Sequence, residues 1–187
     1  MVSIRVDEHI LLRTYKDDDA TALFEVIHAN RAHLRPWLDW VDVTTKPEHS
    51  VEFIKDARMQ EDFQKGMALG IFFNDEIIGG VGMLHWDHQL RKANVGYWIA
   101  KDFEGKGIVS KSLRFFLNFL FEKINLHKVE IHFVASNKRS AALAEKLGAK
   151  VEGILRDSYI MHGNYADLVV TGILRREWQA KPGNMQP

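Results

Sequence analysis

The middle of the chain changes from a two-residue to a helical repeat of hydrophobic positions. From Val95 to Ala100 the odd and even positions form two different faces, which predicts a β-strand. A loop from Lys101 to Lys106 follows. From Gly107 onward the apolar residues recur every three or four positions, which predicts an amphipathic helix. These apolar residues are Val109, Leu113, Phe116, Leu117, Leu120, Phe121 and Ile124.

Upstream of this segment, the pattern predicts one strand and two helices. The strand covers Ile10 to Arg13, and Asp17 to Asp19 supply cap and first-turn carboxylates to the first helix. Thr45 and Glu48 fit a capping box at the start of the second helix. The apolar residues of the two helices are Ala20, Leu23, Phe24 and Ile27 in the first, and Val51, Ile54 and Ala57 in the second.

The remaining elements flank the central strand and helix. Met67 to Phe73 and Ile77 to His85 predict two strands joined by a turn, and Lys128 to Val134 alternates like a half-buried strand. A short helix begins near Asn137 and stops at Gly148. Two closing strands are predicted at Val151 to Leu155 and at Asp167 to Leu174. This order predicts a mixed α+β fold and not the regular alternation of a doubly wound sheet.

Composition narrows the class of protein. The chain has 46% hydrophobic and 27% charged residues with a formal net charge of zero, so no bulk charge indicates a nucleic acid or a membrane as partner. It has no cysteine, which excludes disulfides, thiolate metal sites and a cysteine nucleophile. The first residues, MVSIRVDEH, lack a long apolar run, so we expect a cytoplasmic protein. We also expect a single domain over residues 1–178 and a flexible tail over residues 179–187.

Gly105 and Gly107 stand directly before the predicted central helix. The first N–H groups of a helix lack partners and the helix dipole favours negative charge, so such a turn can bind phosphate oxygens. Considered alone, the two glycines are also typical of an ordinary turn. A dinucleotide-binding loop is a poor alternative because the third glycine of its G-x-G-x-x-G pattern would fall at Ser110.

Three segments in sequence order resemble the GCN5-related N-acetyltransferase (GNAT) superfamily. They are Val95 to Leu113 with Gly105-Lys106-Gly107 at the acetyl-CoA loop, Asn137-Lys138-Arg139-Ser140 followed by Glu145-Lys146-Leu147-Gly148-Ala149, and Val151-Glu152-Gly153 with the hairpin Gly163 to Asp167. Within the superfamily, the segments GYWI and GKGIVSKSL and the stretch from Asn30 to Trp40 resemble the RimJ/RimL-like ribosomal-protein N-terminal acetyltransferases. The resemblance extends to about Trp178.

The resemblance implies a GNAT fold, which is a mixed, mostly antiparallel twisted sheet flanked by helices. Its central strands splay apart at the acetyl-CoA site, and acetyl-CoA is the cosubstrate, with no metal. In such a site the N–H of Ile99 would polarise the thioester carbonyl, and the strand would pair with the pantetheine arm. The cofactor-binding residues that the resemblance implies are Trp98, Ile99, Ala100, Glu104, Gly105, Lys106, Gly107, Ile108, Val109, Ser110 and Asn137.

Candidate catalytic residues also follow from the resemblance. Many members carry a tyrosine that protonates the leaving thiolate where this chain has Ala144, so Ser140 is the candidate acid. The alternative for Ser140 is a first-turn hydroxyl that bonds the backbone. His85 is the candidate base, or a surface loop histidine, and a water chain could also take the proton with no dedicated base. Tyr159 is a candidate for shaping the site or for proton relay, or a packing residue. Asn137 could bond the pantetheine amides, cap its helix, or do both.

Two further groups of residues are candidates for binding substrates. Trp37, Trp40 and Trp86 could line the acceptor groove, although loop aromatics are often core anchors. Lys138 and Arg139 could face the 3′-phosphate of the cofactor, or form a solvated helix face.

The resemblance implies acetyl transfer from acetyl-CoA to an amine by direct attack. We expect a protein or peptide N-terminal α-amine of the ribosomal-protein type as acceptor. Alternatives are a small amine, such as a polyamine, an aminoglycoside or an amino acid, and a non-catalytic acyl-CoA sensor, which Ala144 would favour. The family likeness also implies a homodimer or higher homo-oligomer, and no direct contact with nucleic acid or membrane is expected.

Overall fold

The computed structural model describes residues 1–179 of the chain and shows one sheet of eight strands. The spatial order of the strands is β1-β2-β3-β4-β5-β6-β8-β7. All neighbouring pairs are antiparallel except β5 and β6, which are parallel. The strands are β1 (Ser3–Arg5), β2 (Ile10–Thr14), β3 (Met67–Phe73), β4 (Glu76–Asp87), β5 (Lys92–Ile99), β6 (Lys128–Val134), β7 (Lys150–Met161) and β8 (Asn164–Leu174).

Helices cover both faces of this sheet, so the predicted α+β class is confirmed. Short 3-10 turns precede the first helix at Asp17–Asp19 and follow β5 at Lys101–Phe103. No helix within residues 1–179 is long and apolar enough to cross a membrane. The helices are α1 (Ala20–Ala29), α2 (Arg31–Leu34), α3 (Trp40–Val43), α4 (Pro47–Asp62), α5 (Ile108–Glu122), α6 (Lys138–Leu147) and α7 (Arg175–Gln179).

Two hydrophobic clusters form the core, one on each face of the sheet. The larger cluster buries α5 and α6, and it includes Leu113 and Phe116 of the stripe predicted for the central helix. The smaller cluster joins the N-terminal helices α1 to α4 to the opposite face, with Leu23 and Ile54 fully buried. The alternation predicted for β5 is confirmed, because Val95 packs in the larger cluster and Trp98 against the smaller one.

The parallel pair β5 and β6 is short. Its register runs from Lys92 opposite Lys128 to Asn94 opposite Glu130 and then ends. From Val95 to Ile99, β5 continues beside β4 but no longer pairs with β6. The sheet is therefore open between its two central strands, as the resemblance implied.

Several local predictions differ from the structure. The pattern missed β1, which has only three residues and a single apolar side chain. The capping box at Thr45 and Glu48 is wrong: α4 begins at Pro47 after Lys46, and the Thr45 N–H donates to Nδ1 of His49. Proline is favoured at the first helical position because its fixed φ suits the helix and it has no N–H to satisfy.

β7 is longer than predicted because it continues past Leu155, through a shift in its register with β8, to Met161. Of the tail expected to be flexible, residues 180–187 lie outside the described part of the chain. Gln179 is the last residue of α7, and its amide donates to Glu122.

Candidate active site

A large cavity follows the gap between β5 and β6, with a volume of about 1580 Å³. Clefts for one small ligand usually measure about 300–1,000 Å³, so this one has room for a long cofactor and a second substrate. The N-termini of α5 and α6 border it on one side, and α2 to α4 border it on the other. The residues that line it include Ile99, Gly107, Ser140, Tyr159, His132 and Trp40.

The turn before α5 combines two left-handed glycines with a row of N–H groups that are unpaired in the described part of the chain. Gly105 and Gly107 both have positive φ, +74° and +77°, and open space lies where a Cβ would stand. Among the described residues, no hydrogen bond takes up the N–H groups from Gly105 to Ser110. Unpaired N–H groups at a helix N-terminus fit a pyrophosphate. The prediction included the Glu104 N–H, but that group donates to the carbonyl of Lys101.

Backbone directions in β5 identify the N–H that faces the gap. The Ala100 N–H donates to the Ile78 carbonyl of β4 at 2.7 Å. Successive N–H groups of a strand point to opposite sides, so the Ile99 N–H points away from β4 and into the gap. Ala100 cannot offer its N–H to a ligand there, whereas Ile99 can.

Helix α6 brings two hydroxyls together at the gap. Asn137 caps this helix by accepting from the Ser140 N–H at 3.1 Å, and Ser140 Oγ lies 2.5 Å from the Tyr97 hydroxyl. Burial raises the pKa of Tyr97, so it keeps its proton at neutral pH. The pair can pass a proton to a group in the cavity. Sequence reasoning placed Tyr97 on a strand face and missed this contact.

Ion pairs and a side-chain amide hold the loop before α5. The Lys101 N–H donates to Oδ1 of Asn30 at 2.7 Å, which ties the loop to the end of α1. Glu104 pairs with Lys101 at 3.0 Å and with Arg139 of α6. Burial alone would raise the pKa of Glu104, but these cations lower it overall. Arg139 would have to exchange Glu104 for a phosphate to bind the cofactor as predicted.

Aromatic side chains line the other side of the cavity. Trp40 meets Trp98 edge to face, with ring centroids 6.2 Å apart, and Trp37 also lines the wall. Trp86 does not reach the cavity, so that prediction is wrong: its ring stacks on His88 and packs against the larger cluster. The bulge between β4 and β5 after Leu84 redirects this part of the strand.

The candidate proton-handling residues lie at different points of the same cavity. His85 is an exposed lining residue with φ of +50°, beside the bulge in β4. Tyr159 lines the cavity from β7, and its burial, together with the carboxylate of Asp39, raises its pKa. Neither has a hydrogen bond to Ser140 in the described structure.

The structure thus gathers most of the predicted site residues around one cavity, although Ala100 and Lys106 are not among its lining residues. It also adds His132 of β6, which sequence reasoning left on the outer face of a half-buried strand. The alternation of β6 contained no signal for this position, because it depends on where β5 and β6 part. No group of three or more potential metal-ligating side chains lies together within residues 1–179.

Comparisons with known proteins agree with this geometry. A sequence profile described as an acetyltransferase (GNAT) domain matches residues 9–150. A Bacillus subtilis (strain 168) protein, provisionally named as the ribosomal N-acetyltransferase YdaF, is 34% identical over 182 residues, which is 97% of this chain and all of that protein. The [ribosomal protein uS5]-alanine N-acetyltransferase of Escherichia coli (strain K12) is 25% identical over 180 residues, 91% of this chain and 90% of its own.

A solved structure and a partial match extend the comparison. The microcin C7 self-immunity acetyltransferase MccE, in complex with acetyl-CoA and AMP, superposes with a TM-score of 0.86 at 25% identity, over 90% of this chain and 94% of its own. A spermidine N(1)-acetyltransferase of Vibrio cholerae is 28% identical over 102 residues, which is 54% of this chain and 59% of that protein.

Proposed function

The chain belongs to the GNAT acetyltransferase family, and from that premise we propose that it acetylates the N-terminal α-amine of a protein or peptide. It is an acetyl-CoA-dependent N-acetyltransferase with a GNAT fold. The proposed acceptor is of the ribosomal-protein type. The observation that carries the proposal is the gap between β5 and β6, which in the described structure has a turn with unpaired N–H groups on one side and an aromatic wall on the other.

The cofactor side of the gap fits acetyl-CoA. The N–H groups from Gly105 to Ser110 would bind the pyrophosphate, and the open edge of β5 would pair with the pantetheine arm. The Ile99 N–H would then donate to the thioester carbonyl and stabilise the oxyanion that forms on attack. This arrangement requires no acyl-enzyme, because the acceptor amine can reach the carbonyl carbon from the opposite side of the gap.

The leaving group needs a proton as the C–S bond breaks. Ser140 is the proposed donor, and the Tyr97 hydroxyl at 2.5 Å can orient Ser140 and resupply it. Ala144, which replaces the tyrosine of many family members, is buried in helix α6. Tyr97 supplies a phenolic hydroxyl from β5 instead, so the loss of that tyrosine gives no reason to assign a non-catalytic sensor.

The acceptor side favours a flat, partly apolar segment of chain. Trp37, Leu38 and Trp40 line it, and a peptide N-terminus can pack its first side chain against such a surface. The names of two relatives support a ribosomal protein as acceptor. A small polyamine is the second candidate, because the α4 carboxylates Glu52 and Asp56 also line the cavity and could bind its cationic amines.

The test follows release of CoA as free thiol, with acetyl-CoA and three kinds of acceptor: N-terminal peptides of ribosomal proteins, spermidine and an aminoglycoside. The protein has no cysteine, so it contributes no thiol background. We expect the highest kcat/KM with a peptide. Turnover confined to spermidine or to the aminoglycoside would keep the enzyme class and refute the proposed acceptor.

We further propose a cytoplasmic homodimer. Strand β7 lies at the edge of the sheet and exposes several apolar side chains. Such clusters are uncommon on a solvent-exposed protein surface. A second copy of the chain is the occupant that the family likeness suggests for this face. The exposed apolar residues of the hairpin are Val151, Ile154, Leu155, Ile160 and Tyr165.

A further inference from the structure

A hydrogen-bonded group of side chains stands where β5 and β6 part, and the reaction described so far gives it no role. Nε2 of His132 lies 3.1 Å from Oε2 of Glu130, and Nδ1 of His132 lies 3.2 Å from Nδ2 of Asn94. Asn94 and Glu130 form the last register pair of the two strands. His132 is therefore the next side chain on this face of β6, at the start of the gap, and it lines the cavity.

The surroundings of His132 decide which ring nitrogen carries the proton. Glu130 is only 6% exposed, and its Oε1 accepts from Lys128 at 2.8 Å and Lys92 at 3.3 Å. Burial alone would raise the pKa of Glu130, but the two lysines lower it overall, so the carboxylate is ionised. A carboxylate only accepts hydrogen bonds, so Nε2 carries the hydrogen and Nδ1 has the lone pair, to which the Asn94 amide donates.

His132 lies on the acceptor side of the gap. Asn94 and Trp98 share one face of β5, and Trp98 meets Trp40 in the aromatic wall. Tyr97, which bonds Ser140, lies on the other face. In the proposed reaction, one hydrogen-bonded group would thus border the attacking amine, and the other would border the leaving thiolate.

We propose that His132 is the general base for the acceptor amine, with Glu130 and Asn94 as its positioning residues. Nδ1 takes a proton from the ammonium form of the acceptor, directly or through one water, after the Asn94 amide turns to release its lone pair, while the Nε2–H keeps its hydrogen bond to the Glu130 carboxylate. The Asn94 amide can then present its oxygen in place of its nitrogen, so it serves both states of the ring. The inference depends on acetyl transfer to an amine, and not on which amine is used.

The protons balance. The acceptor nitrogen loses one proton through His132 to solvent and becomes a nucleophile. It loses a second proton to solvent when the C–N bond forms and the C–S bond breaks. The thiolate takes one proton from Ser140, and Ser140 regains one from solvent through Tyr97. The net products are the acetylated amine, CoA as free thiol and one proton.

No other charged group described near His132 combines a position at the cavity with a lone pair that could accept a proton. Lys92 and Lys128 contact Glu130, and Lys128 also pairs with Glu152 of β7 at 2.5 Å. On β8, the residue opposite His132 is Val170, which has no titratable group. The competing base is His85, which lines the cavity without a carboxylate partner in the described structure.

The decisive experiment compares acceptors of different basicity in wild type and His132→Gln. The probes are acetyl-CoA and two peptides that differ only in their first residue, which is alanine in one and 3,3,3-trifluoroalanine in the other. The amine of the fluorinated peptide is already neutral at the assay pH. We expect His132→Gln to lower kcat/KM about 100-fold with the alanine peptide and only a few-fold with the fluorinated one. An equal loss with both peptides would indicate a structural role and overturn the inference.

Matched variants and a second measurement support this comparison. His9→Gln changes an exposed histidine outside the cavity, and we expect it to leave the rate unchanged. If His85→Gln, and not His132→Gln, gives the acceptor-dependent loss, His85 is the base and the inference is wrong. If peptides are not turned over, the proposed acceptor is wrong. The same histidine variants are then compared with spermidine as acceptor at low and high pH. The loss of kcat/KM in His132→Gln must then be greater at low pH.

NMR of the histidine rings tests the inference with no acceptor. We expect the 15N pattern of His132 to show hydrogen on Nε2 and a lone pair on Nδ1, and Glu130→Gln to weaken that preference. Hydrogen on Nδ1 of the wild-type protein at the assay pH would contradict the assignment, because no lone pair would then face Asn94 and the cavity.

Discussion

Substituting Gly107 by alanine tests the anion-binding turn. The residue has φ of +77° at the N-cap of α5, and no atom lies within 4 Å of the place of a Cβ. The cost of Gly107→Ala therefore comes from the left-handed backbone and not from a clash, and it amounts to about 1–2 kcal/mol. Such an energy corresponds to a factor of roughly 5–30 in an equilibrium constant.

This strain can be expressed in two ways. If the turn keeps its shape, the free energy of unfolding falls by the same amount, and the midpoint of thermal unfolding drops by about 2–8 °C. If the turn relaxes out of the left-handed region, the N–H groups from Gly105 to Ser110 no longer converge and the pyrophosphate loses donors. The pyrophosphate binds only the turn that keeps its left-handed shape. We therefore expect the Kd for acetyl-CoA, measured by calorimetry, to rise about tenfold.

Gly163→Ala is the matched control. Gly163 has φ of +79° in the turn between β7 and β8, and its Cβ position is equally open, but it does not line the cavity. This variant carries the same backbone strain, so we expect a similar loss of stability and an unchanged Kd. If Gly107→Ala binds acetyl-CoA like wild type, or if both variants weaken binding equally, the turn is not the phosphate site.

Further predictions concern three other contacts. Tyr97→Phe removes the hydroxyl 2.5 Å from Ser140, and we expect kcat to fall about tenfold with the Kd for acetyl-CoA unchanged; an unchanged kcat would show that Ser140 acts alone. Arg13 donates to both oxygens of Asp19 at 2.7 and 2.9 Å; burial alone would raise the pKa of Asp19, but these bonds lower it overall. The stabilisation by these bonds is therefore present above about pH 4 and lost as the pH falls through the pKa of Asp19 in the folded protein. We expect the free energy of unfolding of Asp19→Asn, measured with urea, to fall less steeply than that of wild type as the pH is lowered. Ile154→Glu places a charge on the exposed face of β7, and we expect a monomer by light scattering; an unchanged dimer would place the interface elsewhere.

Elements with a strong local pattern could be predicted from the sequence. The stripe of α5 and the two faces of β5 are fixed by periodicity, and both lie as expected. The start of α4 was misplaced because Pro47 competes with the Thr45 cap, and the proline fixes the first helical residue. β1 was missed because three residues are too few for a period-two pattern to show.

The site was only partly predictable because it depends on contacts between distant segments. Glu130 looks like a solvated strand residue, yet Lys92 from the neighbouring strand helps to cover it. The Tyr97 hydroxyl meets Ser140 across 43 residues of sequence, and no local pattern contains that distance. Trp86 was misassigned because a register shift in β4 changes where its ring lies. These positions follow from strand register, which the sequence specifies only through the whole fold.

The position of the transferred acetyl group shows directly whether the acceptor is an N-terminal α-amine. A peptide with a free N-terminal α-amine and an internal lysine would be incubated with acetyl-CoA and the enzyme, and the product located by fragmentation mass spectrometry. We expect a single acetyl group on the α-amine. Acetylation of the lysine alone, or of spermidine but not the peptide in a mixture of the two, would contradict it.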